Sequence, residues 1–248
     1  MVLKAITHSE NPQLAESSVW IENTVWPEYN RHADVVGRYW PRLTTDFPDF
    51  QFVVFDEASN EVVARGNTVP FHWDGDSHHL PRSMDALVMR AFERKGRGSR
   101  PNALSALAAE VPPQNRAKGL GTFLLLTMKG IAQARGLEAL VAPVRPVWKE
   151  RYPLTPIEQY MTWKRSDGLP FDPWIRLHHG LGARFIKPAP RSLRITGTVA
   201  EWESWTQMPF PASGRYVFPR GLAPLRIDRG ADTGLYWEPN VWMSHPVP

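Results

Sequence analysis

Between an apolar stretch and an amphipathic one, the chain runs Arg116-Ala117-Lys118-Gly119-Leu120-Gly121, and this hexapeptide constrains the fold more than any other segment. Ala103 to Val111 (ALSALAAEV), just before it, reads as a buried strand. After it, Thr122 to Arg135 sets Leu124, Met128, Ile131 and Ala132 at helical spacing, and Gly136 supplies a C-terminal stop. A helix opened by Arg, Lys and two glycines aims several N–H groups without intrahelical partners at one spot. The positive end of the helix dipole lies there too. Such a spot binds anions, and the expected anion is phosphate or pyrophosphate. No Gly-Lys-Ser/Thr follows as a P-loop requires, and Leu124 stands where a dinucleotide fingerprint needs its third glycine. The competing reading is an ordinary strand–helix connection with Gly for tightness.

Composition bounds the rest. A chain of 248 residues with 42% hydrophobic content can bury a substantial core, as one large domain or two tightly packed lobes. With no cysteine there is no disulfide, no Cys-ligated metal and no Cys-linked acyl intermediate, so attack through a ternary complex is expected. No apolar run reaches membrane-spanning length, and the opening MVLKAITHSE lacks the apolar core of a signal peptide, so the expected location is cytoplasmic. A net charge of +4 without a long basic tract argues against nucleic acid and suits an anionic cofactor.

The elements fall into an order. Val2 to Ile6 is a first strand, and Leu14, Ile21 and Val25 suggest a helix, with a second over Asp34 to Tyr39. Phe50 to Phe55 and Val62 to Phe71 form two strands, followed by Ala103 to Val111, the glycine loop, its helix, and Leu137 to Ala142 as a buried strand. Asp172-Pro173 caps and opens a short helix through His178; Gly180 and Gly182 stop it, and Ala183 to Ile186 resumes a strand. Residues 72–102 form one insertion, with a helix around Met84 to Lys95. Residues 143–171 form another, where Thr155-Pro156-Ile157-Glu158 reads as a capping box. Past Pro188, alternating runs such as Ser192 to Thr196 and Gly234 to Met243 predict extra β structure, while Thr198 to Thr206 is undecided between strand and helix.

The pattern Arg/Gln-x-x-Gly-x-Gly/Ala, after a strand and opening a helix, resembles the pyrophosphate loop of the GNAT superfamily of acyl-CoA-dependent acyltransferases, whose element order is also the one above. Residues 144–163, 167–185, 196–211 and 234–245 narrow the resemblance to a branch containing the GNAT-like loading domains of modular polyketide synthases, of the curacin type. The resemblance implies an α/β (α+β) GNAT fold: a mixed central sheet flanked by helices, with two insertions and a β-rich C-terminal region. It implies one domain over residues 1–248, divided into an N-terminal part (1–102), a CoA-binding core (103–187) and an extension (188–248). The related domains decarboxylate malonyl-CoA and load an acyl carrier protein. These 248 residues carry no synthase module, so their activity need not follow.

What the resemblance implies for a site is specific. Acetyl-CoA or another short acyl-CoA is the expected co-substrate, gripped by the loop Arg116, Ala117, Lys118, Gly119, Leu120, Gly121 and Thr122 and by main chain at Ala109 and Val111. The helix before Gly182 supplies the acid at the sulfur, where the superfamily usually has Tyr. Here His178 stands there, with His179 beside it, and imidazole titrates near neutrality. The competing reading of the pair is a helix-end cap and a solvent-facing ring. No metal is expected, because the adjacent pairs His78-His79 and His178-His179 diverge rather than converge. Glu110 alternates away from Ala109 and Val111, which favours a solvated or structural carboxylate over a base. Trp40 and Trp174 could wall an acyl pocket. In the decarboxylating relatives a hydroxyl follows the strand after the main helix; here Val144-Arg145-Pro146-Val147-Trp148 offers none, and Thr155 is nearest. Arg194 matches an arginine that grips malonyl carboxylate. Transfer of a small acyl group, acetyl first, to a small-molecule amine leads. Malonyl-CoA decarboxylation with or without loading of an acyl carrier protein is the second reading, and a non-catalytic CoA-binding module the third.

Overall fold

The alternating and continuous apolar runs assemble into one sheet in the computed structural model, which describes residues 1–98 and 100–247. Its strands are β1 (Leu3–Thr7), β2 (Gln51–Asp56), β3 (Glu61–Phe71), β4 (Ala103–Glu110), β5 (Ala139–Val144), β6 (Arg184–Gly197), β7 (Gly214–Tyr216), β8 (Leu225–Asp228) and β9 (Thr233–Pro246). Across the sheet the order is β1-β2-β3-β4-β5-β9-β8-β7, and β6 pairs along β9. Neighbours are antiparallel except β4 and β5, which run parallel. The helices are α1 (Pro12–Glu16), α2 (Val19–Val25), α3 (Val36–Tyr39), α4 (Leu43–Asp46), α5 (Met84–Gly96), α6 (Leu120–Ala134), α7 (Ile157–Tyr160), α8 (Pro173–Gly180) and α9 (Val199–Thr206). None is long and apolar enough to cross a membrane.

Period-two alternation gives the sheet a core on each face. On one, α6 packs Leu120, Leu124, Leu125, Met128 and Ala132 against Phe52, Val54, Leu104 and Leu140. On the other, α5 sets Leu87, Val88, Ala91 and Phe92 with Val69, Phe71 and Val141. Strand β4 sends Leu104 and Ala106 to the first core and Ala103 and Leu107 to the second.

The long C-terminal strands β6 and β9 pair from Arg184 with Ser244 to Gly197 with Gly234, which accounts for the alternating runs of the extension. The undecided segment is helical: Thr198 accepts from the Glu201 N–H and Glu201 reaches back, the reciprocal cap that stabilises a helix start. The box expected at Thr155 does not form. Helix α7 starts after Pro156, which sits at the N-cap without a side-chain cap bond. In the first insertion, His78 and His79 bond separately to Asp76 (2.8 Å) and Asp74 (2.5 Å). Among the described residues, no group of three or more His, Asp or Glu side chains is placed to hold a metal ion.

Candidate active site

Strands β4 and β5 stay paired for only three registers, Ala103 with Ala139, Leu104 with Leu140 and Ser105 with Val141, and then diverge. The divergence begins where β4 carries an extra residue against β3: Thr68 pairs with Ala106 and Asn67 with Ala108, so Leu107 is bulged. The parting strands open a cleft of about 820 Å³, lined by Ala106 to Ala109 and Val111 on one side and Ala142 to Arg145 on the other. Parallel strands that stop pairing leave backbone N–H and C=O groups available to an extended ligand.

The glycine segment closes one end. Ala117 (φ 61°) and Gly119 (φ 76°) both turn left-handed, and Gly119 is the N-cap of α6. That turn presents the first N–H groups of the helix to the cleft as an anion nest. Gly121 lets the neighbouring α8 approach: a Cβ there would stand 3.0 Å from the Trp174 ring. Arg116, Ala117, Gly119, Leu120 and Gly121 line the cleft, as do Arg151 and Arg220. Lys118 and Thr122 do not; the Lys118 ammonium turns back to Asn115 Oδ1 (3.0 Å).

Helix α8 brings His178 to the same cleft. Its start is fixed by Asp172, whose Oδ1 accepts from the N–H groups of Trp174 (2.9 Å) and Ile175 (3.2 Å). The other oxygen takes Trp148 N–H (2.8 Å) and Tyr160 O–H (2.9 Å), which ties the helix to the second insertion. His178 is buried beneath Trp174, and its Nδ1 shares a proton with His245 Nε2 at 2.9 Å. Burial, aided by repulsion from His245, pushes the His178 pKa down to about 3. His245 falls to about 4, through burial and the nearby Lys129. The imidazole is therefore neutral at pH 7, contrary to the expectation of a ring titrating near neutrality. If His245 is the donor in that bond, His178 carries its hydrogen on Nε2; if His178 is, its Nε2 is bare. His179 is exposed and lines neither this cleft nor the cavity described next, because successive helical residues diverge.

A second cavity of about 220 Å³ lies among α2, α3 and the parted strands, and shares Trp26, Leu107, Pro143 and Arg145 with the cleft. Arg145 is held there by Glu238 Oε1 (2.8 Å), Tyr29 Oη (3.1 Å) and the Arg220 carbonyl (3.0 Å). Burial disfavours its charge, but Glu238, Tyr29 and Tyr236 outweigh that, so the guanidinium stays protonated. Tyr236, Glu238 and Asn240 are buried on one face of β9. Polar residues at alternate positions of a core-facing run are the signal by which sequence reasoning could have found Glu238 and Asn240. For His245, Glu22 and Trp26 no such local signal exists.

One expected substrate residue, Arg194, is displaced. Arg194 lines neither space; its Nε bonds Asp34 at 2.6 Å and its guanidinium lies over Trp237. Alternation along β6 is the reason, since Leu193 and Ile195 take the buried face and turn Arg194 outward. Trp40 and Trp174 wall no common pocket: Trp40 faces the small cavity and Trp174 the cleft. Glu110 is wholly buried, with Arg65 Nε 2.8 Å from its carboxylate and Trp26 Nε1 donating to it, as a structural carboxylate should be.

The histidine pair also sets a pH response. Unfolded histidines titrate near 6.5, so between pH 6.5 and about 4 the unfolded chain binds protons that folded His178 and His245 refuse. Their contribution to stability is complete above pH 6.5 and is lost as pH falls through that window. Glu110 and Asp85, pushed up by burial to about 7 and about 6, act in the opposite sense. The difference between wild type and His178→Gln isolates the ring. The stability of wild type relative to the variant should fall as pH drops from 6.5 to 4, by up to about 1.4 kcal/mol per pH unit, in urea titrations across that range.

No family model matches the chain. Among solved structures, the loading GNATL domain of CurA from Lyngbya majuscula matches with a TM-score of 0.62 and 17% identity, over 100% of this chain and 98% of that one. The GphF GNAT-like decarboxylase in complex with isobutyryl-CoA matches with a TM-score of 0.57 and 19% identity, over the whole of both chains (100% and 100%). At such identities both matches speak to the fold alone. Arginine N-acetyltransferase avaD of Aspergillus versicolor is 31% identical over 252 aligned residues, which cover 91% of this chain and 86% of that protein. Identity of that degree across nearly the whole chain, on a sheet that parts between β4 and β5 above an anion nest, makes this protein a member of the GNAT superfamily and an N-acyltransferase by type.

Proposed function

We propose that this protein transfers an acetyl group from acetyl-CoA to the amine of a small acceptor, arginine being the first candidate from its 31% identical relative. The observation that carries the reading is the wall that the two spaces share. The nest and the parted strands suit the diphosphate and pantetheine of CoA. Trp26, Leu107, Pro143 and Arg145 form the boundary across which a thioester on one side meets an amine on the other. The amine nitrogen bonds to the acyl carbon, the C–S bond breaks, and the proton leaving nitrogen ends on the CoA sulfur. Neutral His178 donates an N–H to that sulfur as its charge develops, and Arg145 adds fixed positive potential beside the carbonyl. Coenzyme A grip by Arg116, Ala117, Gly119, Leu120 and Gly121, with Ala109 and Val111 along the pantetheine, belongs to the same proposal.

Decarboxylation loses its expected anchor, because Arg194 is committed to Asp34. Incubating the protein with acetyl-CoA plus arginine, and separately with malonyl-CoA, while following CO₂ and free thiol, tests the choice. Amine-dependent thiol release without CO₂ is expected. Carbon dioxide from malonyl-CoA with no amine-dependent release of thiol overturns it, and neither product leaves a CoA-binding module.

A further inference from the structure

We propose that the cavity beside α2 is a cation subsite, in which Glu22, Trp26 and Trp40 select acceptors that carry a guanidinium. The proposal rests on the acetyl-transfer reading for the cavity's use, but its evidence is separate.

The first observation is charge. Glu22 Oε2 accepts from Trp40 Nε1 (3.1 Å) and stands 3.3 Å from Arg65 Nη2. Arg65, which also serves the buried Glu110, stands outside the cavity lining. Among the other lining groups, Glu238 is paired with Arg145, and Arg31 turns to Glu28 outside the cavity. Glu22 therefore lines a partly buried place with its cation partner outside it, which a ligand cation complements.

The second is an unmet acceptor. Asn240 is buried, 4% exposed, and lines the cavity; its Nδ2 donates to Ser192 Oγ (3.1 Å), while its Oδ1 has no partner. A buried acceptor without a donor is costly, and a ligand N–H would satisfy it once the amide turns toward the cavity.

The third is shape. The indole N–H groups of Trp26 and Trp40 are both engaged by carboxylates, which fixes two aromatic rings at the cavity. A planar, weakly hydrated cation stacks on such rings better than an ammonium, and it offers five N–H donors where lysine offers three. A volume of about 220 Å³ holds an amino-acid-sized molecule and little more.

The test is calorimetric titration of arginine and of citrulline, its uncharged isostere, into the enzyme saturated with CoA. Wild type should bind arginine at least tenfold more tightly than citrulline. Glu22→Gln, which keeps the shape and the Trp40 hydrogen bond, should erase most of that ratio and leave citrulline within about twofold. Trp40→Phe should narrow it less. An unchanged ratio in Glu22→Gln, or no arginine binding by folded wild type, overturns the subsite. Binding is read without turnover, so an enzyme that discriminates the two ligands yet releases no thiol with any amine refutes acetyl transfer and leaves the subsite standing.

Discussion

Gly119→Asp should abolish CoA binding while leaving the fold intact. Gly119 adopts φ 76°, and an added Cβ there meets nothing within 4 Å, so the side chain has room but points its charge into the nest. The left-handed backbone costs a non-glycine residue roughly 1–2 kcal/mol, less for Asp or Asn than for most. Electrostatics is the larger effect. Two unit charges 5 Å apart interact by about 3 kcal/mol at an effective dielectric of 20, which is more than a hundredfold in Kd, and a pyrophosphate brings more than one charge. Gly119→Asn is the control, since it has the same shape and backbone tolerance without the charge. Calorimetry should find CoA binding undetectable in the Asp variant and weakened by about tenfold or less in the Asn variant, with both melting near wild type. Equal affinities in the two variants would remove the phosphate nest from the account.

Why this site was legible in the sequence, and the neighbouring cavity was not, follows from how each is built. The nest is local. Strand, loop and helix are contiguous from Ala103 to Ala134, and the anion-binding groups are main chain, so glycine placement and apolar period sufficed to find them. The capped start of α8 at Asp172 was legible for the same reason. The small cavity draws on α2, α3, β4, β5, β6 and β9, and its polar groups are single residues in otherwise apolar runs. No local pattern marks Glu22, and the alternation that turns Glu238 and Asn240 inward does not say that they meet it in one space. Arg194 illustrates the opposite failure. Its residue type suited an anion, but a period-two strand turns neighbours to opposite faces, and Leu193 and Ile195 take the buried one. Thr155 failed through backbone chemistry, because the helix starts one residue later, at Ile157, which puts Pro156 at the N-cap and leaves the hydroxyl without a capping role.

His178→Ala should lower turnover by about 10²- to 10³-fold, the usual worth of one hydrogen-bond donor aimed at developing negative charge. A pKa near 3 fixes the kind of help this ring can give. An imidazole that stays neutral through the working range cannot hand over a proton as imidazolium, but it can donate an Nε2–H to sulfur as the C–S bond breaks. That donation requires the tautomer in which His178 Nδ1 accepts from His245 Nε2, its neighbour at 2.9 Å. Two consequences separate this from acid catalysis. His178→Gln, which keeps an N–H donor, should retain more activity than the alanine variant, while both bind CoA like wild type. The acid limb of the kcat/KM profile should also be the same in wild type and the Gln variant above about pH 5, since the ring contributes no ionisation there. A limb near pH 6.5 that disappears with His178 would restore the imidazolium acid, and would mean that bound substrate lifts the ring out of the depressed state the empty cleft imposes. Unchanged turnover in both variants would leave His178 a packing residue beneath Trp174.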